Sequence, residues 1–190
     1  MRKALPNIAT SGNLTAGFIA LMMVVQGRYD QAVLLVALAA AFDLLDGAIA
    51  RRCSTAGDFG CNLDSLADIV SFGVVPAFAL YQSQLYLLGD LGLAGCAIFL
   101  LCGALRLARF PLVKDPDYFL GLPIPPAGLA VVSLAALQPP AGVSLSCTLA
   151  LAALMVTKRP FPKLSSGRPL RSALSKYRPG DNEPVEQQQR

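Results

Sequence analysis

Histidine and tryptophan are both missing from this 190-residue chain. Without histidine the commonest general acid–base side chain is gone, so proton transfer falls to carboxylates, Lys or Tyr. The five cysteines, Cys53, Cys61, Cys96, Cys102 and Cys147, contain no C-x-x-C pair, and that spacing with no histidine argues against a zinc site. An odd number without a framework argues against a disulfide scaffold, which leaves them as small apolar residues. Charge is also scarce. Charged residues make up 15% of the chain and apolar ones 54%, whereas a soluble domain carries about 25% charged residues. The shift points towards lipid, and an interfacial aromatic belt here must rely on Tyr and Phe.

Six apolar stretches can be marked, approximately 13–26, 32–50, 66–82, 85–107, 120–137 and 143–157. Spanning a bilayer takes roughly 20 residues. The second and fourth reach that length, the fifth is close, the sixth is slightly short, and the first lengthens if its helix starts near Ala4 or Thr10. Pro6, Asn7, Thr10 and Asn13 interrupt the first stretch, which argues against a signal peptide. The breaks fall at Gly27–Asp30, at a polar loop over Arg51–Asn62, at Gly89-Asp90, in a Pro-rich loop over Pro111–Pro126, and at Pro139-Pro140. With the N-terminus inside, every Lys and Arg except Arg28 falls on the inner side, as the positive-inside rule requires. The expectation is an all-α polytopic membrane domain over 1–160 with six transmembrane helices, both termini and the active site cytoplasmic. A basic, polar tail over 161–190 is expected to be largely disordered. The net charge of +4 sits beside apolar segments and suits a membrane face better than nucleic acid.

The informative segment reads Asp43-Leu-Leu-Asp46-Gly47-Ala-Ile-Ala50-Arg51, then Gly60-Cys-Asn-Leu-Asp64-Ser-Leu-Ala-Asp68. Acidic side chains in membrane helices cost about 2.5–3.5 kcal/mol each at the bilayer centre, so four together need a purpose. Asp43 and Asp46 are three apart, Asp64 and Asp68 four apart, and each pair shares a helix face. If the two helices pack antiparallel across the intervening loop, the pairs converge. Converging carboxylates repel without cations, and an all-oxygen set favours Mg²⁺ or Mn²⁺. Gly47, Ala50 and Gly60 would let a bulky ligand approach the backbones. Metal beside such a groove suits phosphoryl chemistry, with one carboxylate left to take a proton. Helix capping, or pairing with Arg51 and Arg52, is the plainer alternative.

This spacing resembles the signature of the CDP-alcohol phosphatidyltransferases, D-x2-D-G-x2-A-R-x8-G-x3-D-x3-D, with every fixed position present from Asp43 to Asp68. The resemblance implies a six-helix homodimer, a di-metal site on Asp43, Asp46, Asp64 and Asp68, and CDP-diacylglycerol as donor. It also implies Asp68 as the base for the acceptor hydroxyl. Asn7, Thr10, Asp46, Gly47, Ala50, Arg51 and Gly60 would then lie along the CDP-lipid. Within the family, glycerophosphate-using members usually carry Pro after the third aspartate and Lys after the fourth. Ser65 and Ile69 stand there instead, and the run Leu63–Ala77 is similar to the serine-using branch, giving L-serine as acceptor. Pro6–Asn13, Arg106–Phe110 and Phe119–Ala127 agree, so the likeness covers about Leu5 to Lys163. Many serine-using relatives continue with two further helices after the stretch like Met155–Pro162, which bears on the dimer interface.

Several residues keep two readings. Arg106 and Arg109 either anchor a helix at the cytoplasmic face or bind the acceptor, a role Arg suits by its bidentate geometry. Asn7, Thr10 and Asn13 are helix caps or lie near the site, and Ser71 either bonds within its helix or faces the acceptor. Asp58 reads as a solvated loop residue. A different acceptor, inositol phosphate or glycerol phosphate, is the near alternative for function. A small cation transporter is the alternative from another class, although no internal repeat is visible. The phosphatidyl-transfer reading places the protein in a bacterial inner membrane.

Overall fold

The computed structural model describes residues 4–53, 58–109, 118–157 and 160–162. Seven helices run through them. α1 covers Ala4–Val25, α2 Tyr29–Cys53, α3 Asp58–Asp68, α4 Val75–Ser83, α5 Asp90–Arg109, α6 Ile124–Leu137 and α7 Ala141–Val156. Between α3 and α4 the chain stays helical but widens into a π-helical segment, Ile69–Val74, so α3, this segment and α4 form one rod. Among the described residues three stretches are long and apolar enough to cross a membrane: Ile8–Val25, Phe59–Ser83 and Asp90–Arg109. Two shorter apolar helices, α6 and α7, accompany them. Large apolar side chains such as Phe18, Leu34, Leu91, Leu101 and Leu105 point outwards. On a water-soluble protein such a surface would be an aggregation liability; on a polytopic membrane protein it faces acyl chains.

The breaks follow local chemistry. α1 stops because Gly27 takes φ 73. The N–H of Gly27 bonds the carbonyl of Val24 and that of Arg28 bonds Met23, both at 2.9 Å. That pair of bonds is the Schellman stop, which glycine favours because it has no Cβ penalty there. α6 starts after Pro123 with Pro125 and Pro126 in its first turn, where the missing N–H costs nothing. It ends at Gln138 in the left-handed region, and Pro139-Pro140 prevents continuation. The loop expected over Arg51–Asn62 is shorter in the structure. α2 runs on to Cys53 and α3 already begins at Asp58, so Gly60 and Asn62 are helical.

α1 presents Thr10, Asn13, Ala16, Ala20 and Val24 to the interior, the three- and four-residue spacing of one helix face. α2 packs along it through Ala32, Val36 and Ala39. The core continues through Phe72, Val75, Leu80, Phe99, Ile124, Val131 and Val132. Small residues bring helices close at the π segment. A Cβ on Gly128 of α6 would strike the carbonyl oxygen of Phe72, and one on Gly17 of α1 would strike Ser71 Oγ. The Pro-rich region adds a small ribbon. β1 (Tyr118–Leu120) pairs antiparallel with β2 (Pro160–Pro162), Phe119 opposite Phe161. Residues 110–117 and the tail from residue 163 lie outside the described residues.

Candidate active site

Three of the four aspartates come together: Asp43 of α2 meets Asp64 and Asp68 of α3. Both helices also pack against α1. The first helix is thus the wall on which the other two are assembled. Carboxylate oxygens of Asp43, Asp64 and Asp68 lie within 4.8 Å of one another. Asp43 and Asp64 are half-buried and Asp68 is buried. At that separation, and with an effective dielectric constant of about 20, each pair of charges repels by about 3–4 kcal/mol. Something positive must compensate. A tight all-oxygen set of this kind suits a hard divalent cation.

Positive charge also comes from the protein. Arg106 lies near the end of α5, close enough for the charges of Asp68 and Asp43 to act on it, and its Nε is buried without a hydrogen-bond partner among the described residues. Arg109 is exposed. Two arginines that look equivalent in sequence therefore differ, one half-buried with its Nε shielded from solvent and the other exposed.

Thr10 and Asn13 are both buried in mid-helix, which removes the capping reading for them. Asn13 donates from Nδ2 to Oδ1 of Asp68 at 3.0 Å. Ser71, buried in the π segment, donates its hydroxyl to the backbone carbonyl of Asn13 at 3.2 Å. Ser71 is therefore bonded across helices rather than within its own. Gly47 and Gly60 are partly exposed. The side chains of Asn7, Asp46, Ala50, Arg51 and Asp58 lie outside the described residues. The direct bond from Asn13 to Asp68 is not an expectation of the sequence. The available signal is an amide in an apolar helix, one turn from Thr10 on the same face. Cys96 is buried, Cys102 and Cys147 are half-buried, and Cys61 is exposed, none in a disulfide.

Such a cluster, at one end of a helical bundle that exposes apolar side chains, matches a known family. The model of the CDP-alcohol phosphatidyltransferases covers residues 3–158. A CDP-diacylglycerol–serine O-phosphatidyltransferase of Methanocaldococcus jannaschii is 37% identical over 151 residues, 80% of this chain and 70% of that protein. The enzyme of the same name from Bacillus subtilis is 35% identical over 159 residues, 83% of this chain and 89% of that one. An archaetidylserine synthase of Methanothermobacter thermautotrophicus is 38% identical over 133 residues, 68% of this chain and 57% of that protein. With the family model covering residues 3–158 of the 190 and the full aspartate signature in place, the chain belongs to the CDP-alcohol phosphatidyltransferase family.

Proposed function

We propose that this enzyme transfers the phosphatidyl group of CDP-diacylglycerol to the hydroxyl of L-serine, giving phosphatidylserine and CMP. The observation that carries the chemistry is the meeting of Asp43, Asp64 and Asp68. Serine as the acceptor rests on the names of the relatives from M. jannaschii and B. subtilis and on Ser65 and Ile69 beside the last two aspartates. In this reading Asp43, Asp46, Asp64 and Asp68 hold Mg²⁺ or Mn²⁺. A divalent ion supplies charge neutralisation for the diphosphate and for the departing CMP.

The remaining work falls to the chain's own side chains. Asp68 takes the proton of the serine hydroxyl as that oxygen bonds the phosphorus bearing diacylglycerol. The bond from that phosphorus to the CMP oxygen breaks, and CMP leaves. Asn7, Thr10, Gly47, Ala50, Arg51 and Gly60 border the CDP-lipid. Arg106 receives the serine carboxylate, a role supported by its buried, unpaired Nε and by the bidentate geometry of guanidinium. Arg109, being exposed, contributes a weaker field, and Ser71, its proton given to Asn13, can offer an acceptor only lone pairs. The enzyme works as a homodimer in a bacterial inner membrane with both termini cytoplasmic.

The test is CMP release by detergent-solubilised protein from CDP-diacylglycerol, with serine, glycerol phosphate or inositol phosphate as acceptor, with and without EDTA. Release with serine alone, abolished by EDTA and restored by Mg²⁺ or Mn²⁺, is expected. Release with glycerol phosphate and none with serine would assign another acceptor, and full turnover in excess EDTA would remove the metal.

A further inference from the structure

We propose that Asn13 is a positioning residue for this reaction: from α1, its side-chain amide fixes the orientation of the Asp68 carboxylate. The inference rests on the reading of Asp68 as the group that takes the acceptor's proton. Asn13 is wholly buried and donates from Nδ2 to Asp68 Oδ1 at 3.0 Å. Chemistry fixes which end of the amide faces the aspartate. Turned over, it would set a carbonyl oxygen against a carboxylate oxygen, two acceptors with no proton between them.

The other end of the amide shows that this bond has a purpose. Asn13 Oδ1 is buried with no hydrogen-bond partner among the described residues. An orphaned buried carbonyl is unfavourable, and the neighbouring interior positions of α1 are filled by Ala16, Ala20 and Val24. A helix that needed only packing at position 13 would not carry an amide there. The hydrogen-bond donor is also neutral. It holds an oxygen of Asp68 without bringing the full positive charge that Lys or Arg would set against the carboxylate, and it adds no negative charge to the cluster.

Asn13 is itself held from behind. Ser71 donates to its backbone carbonyl at 3.2 Å, and Gly17, one turn further along α1, leaves room for the Ser71 hydroxyl. Ser71, Asn13 and Asp68 thus form a closed tie between α1 and the rod of α3 and the π segment. Fixing one oxygen of a carboxylate restrains its rotation, which is part of the preorganisation a proton acceptor needs.

The test uses Asn13→Ala and the near-isosteric, uncharged Asn13→Leu in the full chain, in lipid–detergent micelles with Mg²⁺. Equilibrium binding of CDP-diacylglycerol, the KM for serine and the single-turnover rate of the bound complex are measured. The single-turnover rate is expected to fall by about 10–100-fold, the usual cost of losing a residue that orients a site ligand. CDP-diacylglycerol affinity and the KM for serine should stay within about threefold of native, since binding common to ground and transition state is untouched. In an Asp68→Asn background, Asn13→Ala should add less than about threefold, because the two side chains act as one unit. Asn13→Gln, with the same N–H one methylene further out, should recover part of the rate. Native turnover by Asn13→Ala, a loss of CDP-diacylglycerol binding in its place, or its full effect on top of Asp68→Asn would each overturn the proposal. Failure of the underlying reading looks different: Asp68→Asn would then itself react at the native rate once CDP-diacylglycerol is bound.

Discussion

Two regions of this molecule bury polar side chains, and they use them differently. Around the aspartates, Asn13 bonds a carboxylate and Ser71 bonds the backbone of a neighbouring helix. Towards the other ends of α4, α6 and α7 the buried polar groups are Gln84, Ser144 and Thr148. There, Gln84 donates to the carbonyl of Leu134 and Thr148 to that of Ser144. Gln84 and Thr148 bond helix backbone and touch no charge in these bonds, while Ser144 Oγ has no hydrogen-bond partner among the described residues. A buried polar side chain in a membrane helix is therefore informative through its partner. One tied to an ionised group, directly or through the residue that holds it, marks chemistry, and one tied only to helix backbone away from any charge marks packing.

The largest effect should come from the aspartates. Asp43→Asn or Asp64→Asn removes a charge from a cluster whose oxygens lie within 4.8 Å. The expected loss of turnover is about 10³-fold or more, the several kcal/mol that metal-held charge supplies. Activity against Mg²⁺ concentration checks it; near-normal turnover at low Mg²⁺ would remove that residue from the site. Asp68→Asn should slow turnover by about 10²–10⁴-fold, the range for a general base, with much less change in CDP-diacylglycerol affinity.

The arginines sharpen the comparison within one helix end. Arg106→Lys should raise the KM for serine by about tenfold, because an ammonium cannot reproduce a bidentate carboxylate contact. Arg109→Lys should change it by less than about twofold, as expected of a solvated charge. Equal effects would mean that the different burial of the two side chains has no bearing on the acceptor.

How much of this is legible in the sequence depends on the residue. The aspartate spacing defines two helix faces and predicts convergence, and each of the six apolar stretches contains a helix, although among the described residues three are long and apolar enough to cross a membrane. What is missing is the part played by α1. Periodicity tells which face of a helix is buried but not against what, so it does not show that α1 packs against both α2 and α3. The π segment has no signature either. Ile69–Val74 is apolar apart from Ser71 and reads equally well as α-helix. Its widening accompanies close packing from Gly17 and Gly128, which are distant in sequence. The loop over Arg51–Asn62 is overestimated because polar residues at a membrane surface read as irregular when they extend helices.

Gly128 offers a mechanical perturbation of that geometry. Any Cβ there meets the carbonyl oxygen of Phe72, so Gly128→Val must push α6 away from the π segment. Overpacking of this kind costs about 1–3 kcal/mol, visible as a lower thermal midpoint in detergent. Turnover should fall as well, because Asp68 directly precedes the displaced segment. A stable variant with native turnover would show that the π segment tolerates displacement without moving Asp68.

The smallest effect belongs to the region without charge. Thr148→Val keeps the shape of a buried side chain and removes its hydroxyl. That hydroxyl donates to the carbonyl of Ser144 at 2.8 Å, an acceptor already reached by the helix's own N–H four residues on. Deleting it leaves no carbonyl unpaired, so only the net worth of one extra bond is lost. Polar contacts in membrane helices average about 0.6 kcal/mol by double-mutant cycles, and β-branched Val keeps the χ1 preference of Thr. The thermal midpoint should move by no more than a few degrees, and turnover should stay within about twofold of native, since a loss of that size is less than a factor of three in any equilibrium. Asn13→Leu is equally conservative in shape, yet it removes an N–H from a carboxylate without adding charge. Assaying the two side by side holds size constant and varies only the partner. If Thr148→Val slowed turnover as much as Asn13→Leu, the difference between the two buried polar regions would have no functional meaning.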